Sequence, residues 1–304
     1  LGIAYFNVTR QPARARRAYA AARRADPTNA RLVYERDQLG QRLGESPAQR
    51  LRVLDRERAL VEQRDDLALE YGALCLQVGR LEAARAVITG RRFQPWEGGE
   101  GLALALHVRT HLALGRRALA AGDARGAVAA CTEALAVPAH LGEARHLLSH
   151  PCEVHLWLGR ALAAAGDHAA ARRRWAAAVA MPGGPRSLLS GAEPEQAGFA
   201  ALALRHLGRP AGARRLLLAL LDHARALAVA PATVDYFATS LPTLLLFDDD
   251  LAARQRLRAR VLEAQALLGL GRTASGRARL RAVLRRDPGH ARAADLLATS
   301  LPTP

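Results

Sequence analysis

Small and bulky apolar residues recur along this chain at the intervals of paired amphipathic helices. One unit contains, in order, Leu158, Gly159, Leu162, Gly166, Ala171, Trp175 and Ala178. Steps of three and four residues place side chains on one helix face, and glycine favours a turn, so we expect a helix-turn-helix that turns at Gly166. The small residues Gly159 and Ala171 are expected where the two helices cross. Leu162 and Trp175 are expected to fill the space between them.

The same spacing returns in copies whose turn glycines are Gly79, Gly122, Gly208 and Gly271. An opened copy stands at the start, where residues 1–5 match the middle of a first helix and residues 15–27 match a second. A solenoid end needs a polar outer face, which an opened copy does not supply, so we expect a longer protein with this chain as its rear part. A repeated unit fixes the architecture, so we predict an all-α chain of stacked helical hairpins.

The spacing resembles that of the tetratricopeptide repeat (TPR) family, whose unit of two helices is about 34 residues long. The resemblance implies a right-handed TPR-like α-solenoid that binds other proteins, and it covers most of residues 1–43 and 66–298. The expected organisation is repeats at 1–90, 107–230 and 253–298, an insertion loop at 91–106, an irregular insertion at 231–252 and a frayed tail at 299–304. Residues 291–298 are expected to form a capping helix.

The composition favours helices, and it also bears on whether the net positive charge indicates nucleic-acid binding. Half of the residues are hydrophobic but only 4% are aromatic. The hydrophobic residues are therefore chiefly Ala, Leu and Val. The formal charge of +16 suggests nucleic acid as a partner. However, all 44 basic residues are arginine, as expected of a high-GC bacterial genome, and the densest arginine runs carry no aromatic residues for base stacking. We therefore expect dispersed, solvated arginines and no nucleic-acid partner.

Three further patterns narrow the class of protein. Cys75, Cys131 and Cys152 are an odd number of widely spaced cysteines, which is a poor disulfide framework. No apolar run approaches the roughly 18 residues that span a bilayer, and no signal peptide opens the chain, so we expect a cytoplasmic protein with no membrane partner. His150, Cys152 and His155 lack the paired spacing of metal ligands, and no phosphate-binding loop is present. We expect no metal and no other cofactor.

Arginine is the candidate binding chemistry on the first helices of the hairpins. The first helix of each TPR pair lines a concave groove, and the register places on it Arg109, Arg116, Arg160, Arg205 and Arg258. Guanidinium groups there can hold carboxylates of a protein partner bidentately. The carboxylate clamp of chaperone-binding TPR proteins also requires asparagine, and the chain has none beyond Asn29. That particular partner is therefore disfavoured.

Within the insertion loop, residues 93–101 break the helical pattern and combine Trp96, Glu97 and Glu100 with several glycines. One interpretation is a packed loop in which Trp96 fills a gap between repeats. The other is a contact loop for a partner or an upstream domain. An enzymatic alternative has Glu97, Glu100 and His155 completing a glycoside-processing site, but two carboxylates in a loop are weak support for that chemistry. We assign no catalytic residue and expect this chain alone not to be an enzyme.

Residues 1–5, 93–101, 235–237 and 240–242 together resemble the C-terminal half of a family of large bacterial proteins of unknown function. In that family an all-β domain, similar to sugar-mutarotase and glycoside-processing folds, precedes TPR-like repeats. The resemblance implies that the whole protein is carbohydrate-related and that this chain is its accessory part. It also implies that the N-terminal domain of the same protein is a partner of the repeats.

Overall fold

The computed structural model describes residues 1–94, 96, 98–232 and 246–299, and the regular structure within these ranges is entirely helical. The predicted all-α fold is therefore confirmed. Short 3-10 helices lie at Ala139–Leu141 and Pro185–Ser190. The α-helices are α1 (Gly2–Asn7), α2 (Pro12–Ala25), α3 (Ala30–Arg42), α4 (Pro47–Arg56), α5 (Arg58–Val61), α6 (Asp65–Gln77), α7 (Leu81–Thr89), α8 (Leu102–Ala120), α9 (Ala124–Leu135), α10 (Cys152–Ala164), α11 (His168–Ala177), α12 (Gln196–His206), α13 (Pro210–Val229), α14 (Leu251–Gly269), α15 (Thr273–Arg286) and α16 (Ala291–Ala298).

Successive helices pair into hairpins that stack on one another. From α6 to α15, each even-numbered helix packs against the odd-numbered helix that follows it. Each second helix also packs against the first helix of the next hairpin, and neighbouring first helices contact each other. Every hairpin therefore buries its apolar faces against its neighbours, which is the packing of an α-solenoid. The predicted solenoid of TPR-like helical hairpins is confirmed.

The hairpin of α10 and α11 shows why the small residues are required. Gly166 turns the chain in the left-handed region at a φ of 87°, which costs other residues about 1 kcal/mol or more. Trp175 is buried and its indole N–H donates to the Leu156 carbonyl at 3.3 Å. A Cβ at Gly159 would collide with the Trp175 ring, so only glycine allows this close approach. Positive φ angles also occur at the other predicted turn glycines, namely Gly79, Gly122, Gly208 and Gly271.

Residues 44–65 do not follow the repeat, and a buried ion-pair cluster joins them to the helices on either side. Arg50 on α4 is 1% exposed, and its Nε donates to Asp37 of α3 at 3.1 Å. The same guanidinium also pairs with Glu70 of α6. Asp37 is fully buried, whereas Glu70 retains some contact with solvent. Arg50 thus joins α3, α4 and α6 in a region where the helices do not pair as the repeat hairpins do.

The first hairpin packs against a segment more than two hundred residues away. Phe247 is buried, with its ring centroid 5.2 Å from that of Phe6 and 6.3 Å from that of Tyr19. Asn7 fixes the backbone beside it, donating to the Leu246 carbonyl at 3.1 Å and accepting from the Asp248 N–H at 3.0 Å. The array therefore closes on itself instead of extending as an open rod.

The start of α8 differs from the expected boundary. α8 begins at Leu102, inside the expected loop at 91–106, because the Glu143 carboxylate accepts from the backbone N–H groups of Ala103 and Leu104 and so completes the helix start. α14 begins at Leu251, where Asp250 caps it by accepting from the Ala253 N–H. Residues 233–245 of the expected irregular insertion and residues 300–304 of the expected tail lie outside the described residues.

The described part of the chain places the three cysteines in the interior, each unpaired. Burial raises the pKa of Cys131 to about 11 and that of Cys152 to about 12, so both remain thiols. None of the helices within the described ranges is both long and apolar enough to cross a bilayer.

A histidine pair on α8 makes stability depend on pH. The buried rings of His107 and His111 lie 4.5 Å apart. Burial, followed by the positive charges of His107 and Arg85, lowers the pKa of His111 to about 4. The unfolded chain therefore takes up the proton first, and stability present above pH ~6.5 is lost towards pH 4, at about 1.4 kcal/mol per pH unit. Urea unfolding between pH 7 and pH 5 should show a smaller slope in His111→Leu, whereas the exposed control His168→Leu should match the parent. Identical slopes in all three proteins would contradict this assignment.

Candidate functional site

The C-terminal helix α16 lies on the surface formed by the first helices of the hairpins, which we call the inner surface. It packs directly against α6 and α14. Side chains reach it from α8 through Arg109, from α10 through Glu153 and from α12 through Phe199. In addition, Gln77 of α6 donates to the Gly289 carbonyl in the turn before α16, at 2.9 Å. The predicted capping helix thus has its expected bounds and covers the inner surface.

A bidentate ion pair holds the middle of α16. Arg109 donates from Nε and Nη2 to the two carboxylate oxygens of Asp295, at 2.7 and 3.2 Å. Both side chains are largely buried. Burial alone would raise the pKa of Asp295, but the charge and hydrogen bonds of Arg109 outweigh it and hold that pKa below its usual range. The carboxylate is therefore ionised at neutral pH and fits the planar guanidinium.

A second buried carboxylate joins α8, α10 and α16. Glu153 pairs with Arg292 of α16 and, at 3.5 Å, with Arg116 of α8. Its backbone N–H donates to the Gln196 side chain at 3.1 Å, so the start of α10 is held as well. Burial opposes the charge on Arg292, but Glu153 and Asp295 outweigh that effect and raise the pKa of Arg292. Two carboxylates and three arginines thus lock α16 in place.

Arg160 has a different environment from Arg109 and Arg116. Its guanidinium lies over Trp157 at 4.3 Å from the ring centroid, and burial lowers the pKa of this arginine. Within the described ranges Arg160 has no ion-pair partner, and its Nη1 is buried without a hydrogen bond. Arg205, half-buried in the last turn of α12, also has no ion pair among the described residues. Arg258 instead binds the Ala192 carbonyl at 2.6 Å and pairs with Glu195 at 3.4 Å.

The insertion loop is anchored to the core at its start. Phe93 is buried, and its N–H donates to the His140 carbonyl at 2.8 Å. Trp96 is half-buried against the same apolar cluster and covers Gly99, where a Cβ would collide with the indole. Glu100 accepts from the Gly98 N–H at 2.9 Å. Glu97 lies outside the described residues, so its expected role stays a prediction.

His155 lies on α10 and is half-buried, on a different element from the insertion loop. Burial, together with the charges of Arg174 and Arg145, lowers its pKa to about 4, so it is neutral near pH 7. In the ranges that the structure describes, no three His, Cys, Asp or Glu side chains are grouped to hold a metal ion.

Sequence reasoning selected the arginines of the inner surface but missed their partners. Glu153, Arg292 and Asp295 were not among the candidates, although Arg292 and Asp295 lie three residues apart and share one face of α16. That spacing was the available signal. It does not show that the face of a terminal helix turns inward against α8 and α10.

The fold and the inner surface define the class of this protein as an all-α solenoid of TPR-like helical hairpins. No protein-family model matches the chain. Among solved structures, the chain is similar to the TPR domain of P58(IPK), with 17% sequence identity and a TM-score of 0.30. The match covers 91% of this chain and 69% of that one.

Proposed function

We propose that this chain is a protein-interaction scaffold whose inner surface holds a helical segment by clamping its carboxylate with arginine. The observation that carries the proposal is the bidentate bond from Arg109 to Asp295, because it is the arginine–carboxylate contact expected for a partner, made here to the chain's own α16. Such pairs combine charge with fixed geometry and therefore select the orientation of a bound helix.

On this proposal, α16 and a partner helix compete for the same surface. A tethered segment acts at an effective concentration in the millimolar range, so a partner must bind the inner surface more tightly than α16 does or meet it while α16 is displaced. Arg160 and Arg205, which have no ion pair within the described residues, are then available to further carboxylates of the partner. Arg116 and Arg258 would first exchange Glu153 and Glu195 for partner groups.

The finer part of the proposal concerns the partner. We infer that an acidic segment of another protein, or the all-β N-terminal domain of a longer carbohydrate-related protein, binds this scaffold. The support is the resemblance carried by residues 1–5, 93–101, 235–237 and 240–242, with Trp96 and Glu100 as the contact residues of the insertion loop. Trp96 retains partial exposure and offers a rigid contact surface. Catalysis is not part of this proposal.

The test exchanges the native α16 segment for a labelled copy in the folded protein. A protease site inserted between Arg286 and Asp287 is cleaved in the folded chain, and the segment 287–304 is replaced by the same peptide carrying fluorescein. We expect saturable binding that weakens at least about tenfold when the peptide carries Asp295→Ala, because Arg109 then loses its carboxylate. Fluorescence anisotropy measures the affinity.

The matched control peptide carries Ala298→Ser, a change at an exposed position of the same helix, and should bind as the parent does. Arg109→Ala in the chain should weaken the parent peptide but add little to the effect of Asp295→Ala, because the two changes remove one interaction. Equal binding of the Asp295→Ala and Ala298→Ser peptides would refute the carboxylate clamp.

A further inference from the structure

A groove runs between α2 and α4, with α3 as its floor, and uses none of the residues that clamp α16. Two adjoining cavities form it, with volumes of about 350 and 290 Å³. Both are lined by Arg16, Arg36, Glu45 and Val53, so they are parts of one elongated depression. α2 and α4 each pack against α3, and the groove lies between them.

The walls of this groove carry an excess of positive charge. The lining residues include the arginines Arg16, Arg23, Arg36, Arg52 and Arg56 but only the glutamates Glu45 and Glu57. Arg16 and Arg36 share Glu45 at 3.2 and 3.1 Å, and Arg23 pairs with Glu57 at 2.9 Å. Both carboxylates are therefore already paired with arginines of the groove.

Arg52 and Arg56 remain exposed on the α4 side of the groove. They are one helical turn apart and therefore point from the same face. Neither has an ion pair within the ranges that the structure describes. Two adjacent guanidinium groups without acidic partners are suited to carboxylates supplied by another molecule.

The floor of the groove is apolar. Ala20 of α2 is exposed and Val53 of α4 is half-buried, and both line the groove above Val33 and Leu39 of α3, which are almost fully buried. Tyr19 is also in the wall, but its ring is almost fully buried and its hydroxyl donates to Glu35 at 2.9 Å. The groove thus offers apolar contact and positive charge without an exposed ring for stacking a nucleotide base.

From this combination we propose that the α2–α4 groove binds an acidic amphipathic segment of a partner protein, with its apolar side chains on Ala20 and Val53 and its carboxylates on Arg52 and Arg56. Charge complementarity selects acidic over basic segments. The elongated, partly apolar shape selects a peptide over an isolated anion. The groove is separate from the inner surface, so this proposal can be tested independently of the carboxylate clamp on α16.

The experiment uses the whole chain and a short fluorescein-labelled peptide of repeating Glu-Glu-Leu-Leu. We expect saturable binding that weakens about tenfold or more in Arg52→Glu with Arg56→Glu, because two attractive contacts become repulsive. Ala20→Trp should weaken binding several-fold by filling the groove from an exposed position of α2. The matched control Arg172→Glu with Arg173→Glu makes the same charge change at exposed positions of α11 and should bind as the parent does. Thermal unfolding verifies that each variant is folded.

Two control peptides separate the contributions. The first peptide has Lys in place of Glu and keeps the apolar residues. The second has Ser in place of Leu and keeps the charge. Both peptides should bind more weakly than the parent peptide. Equal losses from the groove and α11 charge reversals would indicate diffuse electrostatics and overturn the proposal. So would binding that is indifferent to Ala20→Trp. Tighter binding of a single-stranded oligothymidine that depends on Arg52 and Arg56 would assign the groove to nucleic acid instead.

Discussion

Replacing Arg50 with methionine is expected to remove about 3–5 kcal/mol of folding stability, because it leaves the fully buried Asp37 without its counter-charge. Methionine keeps much of the side-chain volume, so the loss reports charge and hydrogen bonding more than packing. Without Arg50, the pKa of Asp37 must rise, since burial disfavours its ionised form. The deficit should therefore be largest at neutral pH and shrink as the pH falls and Asp37 takes up a proton. Urea unfolding at pH 7 and pH 5 measures both effects.

Two variants make this result interpretable. Arg225→Met breaks an exposed pair with Asp222 on α13 and should cost no more than about 0.5 kcal/mol. Arg50→Met combined with Asp37→Leu should recover much of the loss, because an apolar pair can replace a buried ion pair at little cost. If Arg50→Met were as stable as Arg225→Met, the cluster would have no part in joining α3, α4 and α6.

Trp175→Ala is expected to cost about 3–5 kcal/mol, because it opens a cavity inside the hairpin of α10 and α11. The change also removes the hydrogen bond to Leu156 and the stacking of the indole on His206, whose ring centroid is 4.3 Å away. Gly159 would then lose its nearest contact, because the three atoms closest to a Cβ at this position all belong to Trp175. Chemical unfolding monitored by circular dichroism gives the free energy.

The matched comparison is Trp96→Ala in the insertion loop. Trp96 is half-buried, so its removal should cost clearly less than removal of Trp175. A small loss leaves the indole surface available for the proposed partner, in agreement with the contact-loop interpretation. Losses of equal size would instead assign Trp96 to the core and remove the insertion loop from the proposed contacts.

The hairpins were predictable because the residues that determine them contact residues close to them in the sequence. Gly166 and the other turn glycines, the crossing residue Gly159 and the filling residue Trp175 each act within about one repeat, so their spacing along the chain reveals their contacts. The same local reading gave the bounds of α16. It failed to place the start of α8, because the group that completes that start is Glu143, which lies about forty residues later.

The inner surface was predictable only in part. The repeat register nominated Arg109, Arg116, Arg160, Arg205 and Arg258 as groove residues for a partner, and that role stays a prediction. Arg109 does bind a carboxylate bidentately. The sequence did not indicate that the carboxylate would be Asp295 of the same chain. Arg50 belongs to the region outside the repeat, where no spacing predicted a contact.

What the sequence by itself determined is therefore the unit of this protein: which residues are helical, where each hairpin turns and which faces are apolar. Only the tertiary structure decided how far the stacked units curve, and so whether the ends meet. Each hairpin adds a small rotation to the last, and the sum brings Arg109 to Asp295 across 186 positions and Phe6 to Phe247. No periodicity records such contacts, because they depend on the accumulated geometry of every unit between them.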